Sequence, residues 1–555
     1  MASIIMAQNL PLNTACRIGS WLPCSKESLI SSPLTIQQAL AQIHSPVYVT
    51  QHDDTLHYHT TGTIQIGSGV DSTQQALIGY VSPLQLNRCG DAAFIATHGL
   101  RYPVVAGSMA KGISSAEIVI AMGQAGMLGF FGAAGLTLDA VEETIVQIQK
   151  ALPDGPYGVN LIHSPNETNL ERALVDLYIK NNVHLIEASA FLTLSIDVVR
   201  YRLHGIHKND TGEIITPNRI IAKISREEVA KHFLSPPPEK MLKKLLDQQI
   251  ITQQQAELAR QIPMAEDITA EADSGGHTDN RPTLSLFPTI CSLRDRLQQQ
   301  YQYAIPPRIG LAGGIATPHS AAAAIAMGAA YLVTGTVNQA CIESGTSDMV
   351  RAMLAETRQA DVAMAPAADM FEMGVDVQVL KRGTMFSMRA IKLYDIYRRY
   401  NSLDEIPADE KEKLEKTFFR APLNDIWTST REFFLKRDPR QVERAERDPK
   451  HLMALVFRSY LGQATHWANA GDAGRKMDFQ VWCGPAMGAF NEWTHDTFLQ
   501  QTDQRHVVCV NLNILFGAAV LTRANELRRY GIAFDSSELS FAPLTIDYIK
   551  EYLRD

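Results

Sequence analysis

Cysteine is scarce in this sequence and shows no pairing pattern. The seven cysteines are scattered from Cys16 to Cys509, and none of them belongs to a C-x-x-C pair. An odd number without regular spacing argues against a disulfide framework, and no metal site is predicted. A reducing, cytoplasmic setting is therefore expected.

An excess of positive charge and a long apolar run are also absent. The chain has 51 Lys and Arg against 59 Asp and Glu, a net charge of -8, which argues against wrapping nucleic acid by bulk charge. Residues 1–16 lack the basic start and the apolar core of a signal peptide. The most apolar stretch that we identify, 320–337, is broken by glycines before it reaches membrane-spanning length. We expect neither nucleic acid nor a membrane as partner.

From about residue 100, short apolar segments alternate with helical patterns. Continuous apolar runs of this length are typical of strands buried on both faces of a parallel sheet. Eight strand–helix units predict an α/β fold of the TIM (β/α)8 barrel type. The alternative is an open doubly wound sheet, but the G-x-G-x-x-G that usually follows its first strand is absent. The eight segments are 103–107, 127–131, 157–162, 183–188, 219–224, 267–272, 308–313 and 331–335.

Two helix starts are readable. Ser114 with Glu117 three residues later predicts a capping box. Thr317 is predicted as an N-cap, with Pro318 at the first helical position and Gly328 as the stop.

Three regions follow from these patterns. Residues 1–92 are predicted to form a small β-rich subdomain, in which 58–70 alternates like a hairpin. Residues 93–365 form the barrel, with a helical insertion at about 226–264, and 366–555 are mostly helical. The role of the insertion, lid or decoration, stays open.

Glycines cluster after the seventh and eighth predicted strands. Gly313 and Gly314 precede one helix, and Gly335 and Thr336 open the next. Bare amides at two neighbouring helix starts are typical of a phosphate pocket, and barrels often bind phosphate at these two loops. The alternative is that the glycines only cap helices and allow close packing.

Three further side chains lie at the same predicted end of the barrel. Met109 offers an apolar contact for a flat ring, and Asn160 and Lys223 offer polar ones. Each residue alone also has a simpler interpretation: Met109 as a core side chain, Asn160 as a turn residue and Lys223 as a solvated charge. Together with the phosphate loops they indicate a phosphorylated heteroaromatic cofactor such as FMN.

His277 follows two glycines in the stretch EADSGGHTDNRP, 271–282, after the sixth strand. A histidine in a turn more often forms a cap or a hydrogen bond, but its position at the active end of a barrel favours a functional role. Imidazole can hold or release a proton near neutral pH.

The motifs PVVAGSMAKG, AGMLGFFGAAGL, YGVNLI, EADSGGHTD, GLAGGIATP and MGAAYLVTGT occur in this order over about 95–345. Their ordered set resembles the nitronate monooxygenase and FMN-dependent enoyl reductase barrels. The stretches 370–407 and 479–493 extend the resemblance to the PfaD family over nearly the whole chain. Members of that family act in trans as enoyl reductases for polyunsaturated fatty acid and polyketide synthases.

The resemblance implies bound FMN, NADPH as reductant, and an enoyl thioester on an acyl carrier protein as substrate. It places His277 at the active-site histidine, as proton donor or oxyanion partner. A homodimer is possible. To the flavin it assigns Ala106, Gly107, Ser108, Met109, Asn160, Lys223, Asp273, Gly275, Gly276, Gly313, Gly314, Gly335 and Thr336.

Two departures concern the substrate. Val337, Asn338 and Gln339 stand where simpler relatives often have an arginine–phenylalanine pair. Thr278 and the residues after it replace a glycine that often follows the histidine. The substrates of those relatives therefore do not carry over directly.

A basic landing surface for an acidic carrier protein is predicted at Lys381, Arg382, Arg389 and Lys392, with a solvated helix as the alternative reading. Three other functions remain open: a nitronate monooxygenase-type flavin oxidase, a non-catalytic flavin-binding scaffold, and a barrel resembling IMP dehydrogenase. The last needs a nucleophilic cysteine in an active-site loop, and Cys341 is poorly placed for it.

Overall fold

The computed structural model describes residues 17–24, 34–52, 55–66, 75–163, 168–534 and 541–553. It confirms the predicted fold class: a closed eight-stranded parallel barrel, a β-rich N-terminal part and a helical C-terminal region. The chain forms two compact units. The first comprises the residues up to Ala92, Thr317–Gly328 and the residues from Asn511 on, and the second comprises Ala93–Ala316 and Ala329–Val510. The boundaries proposed above at 92 and 365 remain predictions.

The first unit contains a five-stranded sheet in the order β3-β2-β5-β1-β4. The alternation over 58–70 does not form a hairpin: β3 pairs with β2, β4 pairs with β1, and residues 67–70 lie outside the described residues. Strands β2 and β3 are instead the antiparallel pair, with His52 opposite Thr55. The elements are β1 Gly19–Leu22, α1 Ile36–Ala41, β2 Val47–His52, β3 Thr55–His59, β4 Thr63–Ile66 and β5 Gln75–Val81.

The barrel closes because its last strand, β16, pairs in parallel with its first, β6. All eight strands were predicted, with ends that differ by at most two residues. Their apolar side chains are buried on both faces, as their continuous hydrophobic runs require. In barrel order they are β6 Val104–Ala106, β7 Leu128–Phe131, β8 Gly158–Ile162, β9 Leu185–Ser189, β12 Arg219–Ile224, β13 Asp267–Glu271, β15 Arg308–Ala312 and β16 Leu332–Thr334.

Helices and short strands connect the barrel strands. The insertion contains three helices, α7 to α9. In chain order the connecting elements are α2 Ala92–His98, α3 Ala116–Gln124, α4 Leu138–Ala151, α5 Thr168–Lys180, α6 Ile196–Leu203, β10 His207–Lys208, β11 Ile214–Ile215, α7 Glu227–Leu234, α8 Glu239–Asp247, α9 Gln253–Ala259, β14 Gly276–His277, α10 Thr283–Tyr301, α11 Pro318–Ala326, α12 Thr336–Gln339 and α13 Asp348–Ala355.

One of the two predicted caps is correct. Thr317 caps α11 in a capping box with Ser320. Helix α3 is capped by Ser115, whose hydroxyl accepts from the amide of Ile118, and not by Ser114. Ser114 instead donates its hydroxyl to the carbonyl of Gly107, so it supports the loop after β6.

After the barrel, β17 Val362–Pro366 and β18 Asp376–Leu380 form a three-stranded antiparallel sheet with β14. Helices α14, α16 and α18 share a core with this sheet, and α15 and α17 lie between them in the chain. They are α14 Phe386–Arg399, α15 Ala408–Lys413, α16 Leu423–Arg437, α17 Pro439–Ala445 and α18 Pro449–Ala470, and they are followed by α19 Ala486–Trp493, α20 Val507–Arg529 and α21 Ile546–Tyr552.

Helix α20 was not singled out as a long apolar stretch. Among the described residues, this helix is long enough and apolar enough to cross a membrane, with a mean hydropathy of 1.7. However, 89% of its most apolar window is buried in the protein. Burial of that kind is also found in core helices. Within the first unit, Arg523 donates to the carbonyl oxygens of Leu40, Gln42 and Ser45 and so ties α20 to the segment after α1.

An ion cluster lies at the amino ends of the barrel strands, opposite the loops that build the site. Asp267 begins β13 and is fully buried. It accepts two bonds from Arg308, at 2.6 and 2.9 Å, and one from His98 at 2.8 Å. Burial would raise the pKa of Asp267, but these partners hold it below its ordinary value. The cluster therefore stabilises the ionised carboxylate.

Candidate active site

A cleft opens among the loops at the carboxyl ends of β6, β12, β13, β15 and β16. It measures about 670 Å³, counted with its opening to solvent. The predicted site residues that line it are Gly107, Ser108, Met109, Lys223, Gly275, Gly313, Gly314, Gly335 and Thr336. The other five, Ala106, Asn160, Asp273, Gly276 and His277, do not line it.

The glycines after β15 and β16 leave open space beside their backbones. A Cβ at Gly314 or Gly335 would meet no described heavy atom within 4 Å. A Cβ at Gly313 would lie 2.6 Å from the carbonyl carbon of Ala272, so this position requires glycine for packing. Gly313 and Gly314 also have φ values of +85° and +78°, which favour glycine. Backbone with vacant space beside it fits a phosphate group approaching the amides.

A buried carboxylate that was not predicted from the sequence supports the loop after β6. Glu187 on β9 is fully buried. Its Oε2 accepts the backbone amide of Ser108 at 3.0 Å and also the Ser108 hydroxyl. Its Oε1 has no hydrogen-bond partner among the described residues. The glutamate inside the apolar run 183–188 could have been predicted as a functional residue, because acids are rarely buried unless they have a partner.

Lys223 lies between two carboxylates. Its Nζ is 3.7 Å from Oε2 of Glu187 and 3.5 Å from Oε1 of Glu271. Burial would lower the pKa of Lys223, but the two acids raise it above its ordinary value. Burial raises the pKa of Glu187, and Lys223 and Ser108 oppose that rise. Lys223 therefore presents a permanent positive charge to the cleft.

Ala106 and Asn160 belong to the barrel wall. Ala106 ends β6 and is fully buried. The Asn160 amide nitrogen donates to the carbonyl of Glu187 at 3.1 Å and to Oγ of Ser189 at 2.8 Å, so it joins β8 to β9. Their contacts with a cofactor remain predictions.

The loop after β13 packs closely against a segment near residue 484. A Cβ at Gly275 would lie 2.9 Å from the amide nitrogen of Gly484, and one at Gly484 would lie 2.8 Å from that of Gly275. Asp273 fixes the same loop, since its Oδ1 accepts from Gln378 at 2.8 Å and from Asn280 at 2.9 Å. Glycines at 275 and 484 are thus required by close approach of two backbones.

His277 lies in a strand and not in a free turn. Gly276 and His277 form β14, in which His277 pairs with Val377 of β18. Its Nε2 is 3.1 Å from Oδ1 of Asp369, and its side chain is 33% exposed. Burial would lower the pKa of His277, but Asp369 outweighs it and the pKa is raised. Burial would raise the pKa of Asp369, but the charge and hydrogen bond of His277 outweigh burial and lower this pKa to about 2.

The segment around 482–486 forms one wall of the cleft. Trp482, Gly484 and Ala486 line it together with the barrel loops. The amide of Gly484 donates to Oγ1 of Thr336 at 3.3 Å. In the sequence this stretch stood out only for its resemblance, because nothing local places it beside a loop about 150 residues earlier.

Cys341 is unsuited to nucleophilic chemistry. It is fully buried, and its thiol donates to the carbonyl of Val337. Burial raises its pKa well above the ordinary value, so the thiolate is suppressed.

The four residues of the predicted landing surface do not form one free group. Arg389 bonds Asp478, and Lys392 bonds Glu410. Arg382 lies 3.4 Å from Asp361, and Lys381 is exposed. Only Lys381 and Arg382 therefore keep the accessibility that the prediction requires.

Two parts of the chain match sequence models of known protein families. Residues 92–399 match the sequence model of the nitronate monooxygenase family. Residues 400–479 match the inserted helical domain of [acyl-carrier-protein] S-malonyltransferase.

Three relatives are similar over most of the chain. The enoyl reductase domain of MlnA, from the macrolactin biosynthesis cluster of Bacillus amyloliquefaciens, has a TM-score of 0.74 and 41% identity over 80% of this chain and 99% of its own. A polyunsaturated fatty acid synthase subunit of Thraustochytrium sp. is 49% identical over 88% of this chain, and polyketide biosynthesis protein PksE of Bacillus subtilis is 46% identical over 78%. The chain spans only 32% and 56% of these two relatives' lengths.

Proposed function

Since the chain belongs to the nitronate monooxygenase family, in its PfaD-like branch of enoyl reductases, we propose that it is an FMN-dependent enoyl reductase. In this proposal it uses NADPH and acts in trans on enoyl thioesters carried by an acyl carrier protein. The family is generally flavin-dependent, and the relatives include a subunit of a polyunsaturated fatty acid synthase and a polyketide biosynthesis protein.

One observation carries the proposal: open glycine backbone and a permanent cation line the same cleft. Gly314 and Gly335 leave room for a phosphate beside their amides. Lys223 stands on the inner wall, where it would favour negative charge on a reduced cofactor ring. Met109 and Trp482 supply apolar surface for a flat ring.

The chemistry that bound FMN would supply is transfer of hydride from NADPH to the β-carbon of the enoyl thioester. Negative charge then develops on the thioester oxygen, and the α-carbon needs a proton. We assign that need to His277, which lies in β14 on the loop after β13, beside the cleft rather than in its lining. The carboxylate of Asp369 accepts a hydrogen bond from Nε2–H of His277. Nδ1 is then the ring nitrogen that can bind a second proton. Because the pKa of His277 is raised, more of the imidazole is doubly protonated at a given pH than in an ordinary histidine.

Asp369 has the role of a positioning residue. It comes from the region after the barrel, fixes the imidazole tautomer and stabilises its positive charge. A protonated imidazole can donate to the developing oxyanion or to the α-carbon. Trp482 and the segment that follows it form one wall of the cleft, where they would limit the access of water to a bound substrate.

Acyl carrier protein is the proposed carrier of the substrate. The synthase context of the relatives supports it, as does the match of residues 400–479 to a helical domain of an acyl-carrier-protein transferase.

A nitronate monooxygenase-type oxidase is the second candidate, favoured by the family match itself. In that case His277 would remove a proton from a nitroalkane. Two assays on the purified protein separate the candidates: NADPH consumption with a crotonyl thioester, and oxygen uptake with a nitroalkane. The proposal expects the first and predicts little of the second. Rapid oxygen uptake without thioester reduction would reverse the assignment.

A further inference from the structure

We propose that a basic patch beside the end of β18 docks the acidic acyl carrier protein. The inference rests on the function proposed above and adds the place where the partner binds. The basic patch consists of Lys381, Arg382, Arg389, Arg420, Arg475 and Lys476.

The patch concentrates positive charge around very few carboxylates. Asp478 is fully buried. It is bonded by the guanidinium groups of Arg389, Arg420 and Arg475 and by the hydroxyl of Tyr460. Three guanidinium groups share one carboxylate, so most of their charge is uncompensated there.

The positive charges of Lys381, Arg382 and Lys476 are compensated even less by carboxylates. Arg382 is paired with Asp361 only at 3.4 Å. Lys381 and Lys476 are exposed, and neither ammonium makes an ion pair within the described ranges. Six cations thus lie near three carboxylates, Asp361, Asp472 and Asp478, in a chain whose net charge is -8. Four of the six are exposed: Lys381, Arg382, Arg420 and Lys476. A local excess of this kind attracts an anionic partner.

Exposed apolar side chains lie beside these cations. Met388 is 63% exposed and Ile391, one turn further along α14, is 45% exposed. Met477 is 45% exposed, and its carbonyl accepts the amide of Met385 at 2.8 Å, which brings it to the start of the same helix. An apolar centre with a basic rim fits a partner whose binding face is apolar with an acidic rim.

The nearest free acid on α14 is Asp395, one turn beyond Ile391. Glu410 is engaged by Lys392. Asp395 thus lies beyond Ile391 toward the end of α14, whereas Met477 lies at the start of that helix.

The position of the patch suits delivery of a tethered substrate. His277 pairs with Val377, and Lys381 follows four residues later, at the end of β18. At the rise of an extended strand this separation is about 13 Å. Val379, between them, bridges to Trp482 of the cleft wall. A carrier docked here would hold its flexible prosthetic arm close to the mouth of the cleft.

Charge reversal tests the docking site. The test variant is Lys381→Glu/Lys476→Glu, and the matched control is Lys150→Glu/Lys243→Glu, which reverses two exposed lysines elsewhere. The full-length FMN-loaded protein is assayed with crotonyl carrier protein and with crotonyl pantetheine as the free thioester. We expect kcat/KM for the carrier substrate to fall about tenfold or more in the test variant, with the free thioester changed by less than about twofold and the control unaffected.

Three results would overturn the docking site. The test and control variants could lose carrier turnover equally, the wild type could show no preference for the carrier over the free thioester, or reversal could change the oligomeric state in light scattering. The last result would assign the patch to self-association. A second variant, Met388→Asp/Ile391→Asp, probes the apolar centre and should lower only the carrier reaction.

The docking site and the proposed function fail in different ways. If the wild type reduces crotonyl pantetheine but reversal leaves the carrier reaction unchanged, the docking site is wrong and the enoyl reductase remains. If the FMN-loaded wild type reduces neither thioester, the proposed function itself is wrong.

Discussion

The imidazole Nε2 of His277 lies 3.1 Å from the carboxylate Oδ1 of Asp369. This contact joins the loop after the sixth barrel strand to the region that follows the barrel. It is reinforced by pairing of His277 with Val377. A histidine held in this way has a defined tautomer and a raised pKa, which is what a proton donor near neutral pH requires.

Replacing His277 tests its chemical role. His277→Ala should lower kcat for crotonyl thioester by about 100-fold, the usual contribution of a general acid, while FMN stays bound. Steady-state NADPH consumption and the flavin spectrum measure the two effects. His466→Ala, at an exposed histidine on α18, should behave as wild type. Full activity of His277→Ala with FMN in place would remove the histidine from the mechanism.

Replacing Asp369 tests the positioning role. Asp369→Asn removes the charge that raises the pKa of His277. If the protonated imidazole is the active form, kcat is high below that pKa and falls above it. The falling limb of the pH profile should therefore shift to lower pH in the variant, with FMN affinity unchanged.

The matched control for this shift is Asp376→Asn, an exposed aspartate in β18. Its profile should coincide with that of the wild type. A uniform loss of kcat in Asp369→Asn without a shift of the limb would indicate a merely structural role.

Filling the space beside Gly335 tests the phosphate site. Its φ is negative, and a Cβ there meets no described atom within 4 Å, so Gly335→Val should fold. The new side chain would displace a phosphate from the backbone amides. Loss of one such charge-assisted hydrogen bond costs about 1.5–3 kcal/mol, and FMN affinity should fall roughly 10- to 100-fold.

Fluorescence titration of the apoprotein with FMN measures that affinity. Gly462→Ala, at a helical glycine that also has open space around its Cβ position, should bind FMN as the wild type does. Unchanged affinity in Gly335→Val would mean that the phosphate lies elsewhere.

The ion cluster around Asp267 predicts a pure stability effect. Asp267→Asn leaves His98 and Arg308 without their buried carboxylate, and the loss should be about 3 kcal/mol near pH 7. Because the pKa of Asp267 is lowered in the folded protein, this stabilisation is present above the ordinary value of 3.8 and is lost as the pH falls through the folded value.

The difference in melting temperature between wild type and Asp267→Asn should accordingly shrink toward acid pH. FMN affinity should not change, since the cluster lies at the opposite end of the barrel. A difference that is constant from pH 7 to strong acid would exclude the ionised carboxylate as its source.

The barrel could be predicted because each of its strands is a continuous apolar run between helical patterns. The glycine loops could be predicted because their place after β15 and β16 fixes where their amides meet. The hairpin over 58–70 was wrong because alternation does not specify which strand is the partner. The cap at Ser114 was off by one residue because the neighbouring Ser115 can cap as well: its hydroxyl accepts the amide of Ile118, without a capping box.

The other parts of the site depend on contacts distant in the sequence. Asp369 contacts His277 of β14, which pairs with β18, and Trp482 of the cleft wall bridges to Val379 of β18. No local sequence pattern encodes such pairing. Glu187 was different: an acid within a buried strand was visible, and its burial follows from the strand assignment alone. The sequence therefore predicted the loops of the barrel but not the wall that the C-terminal region adds.

An anaerobic titration of the purified protein tests the central claim most directly. With FMN bound, the account predicts a yellow spectrum that NADPH bleaches and that crotonyl carrier thioester then restores in stoichiometric amount. A protein that stays colourless after addition of FMN, or a bleached flavin that the thioester cannot reoxidise, would contradict the account.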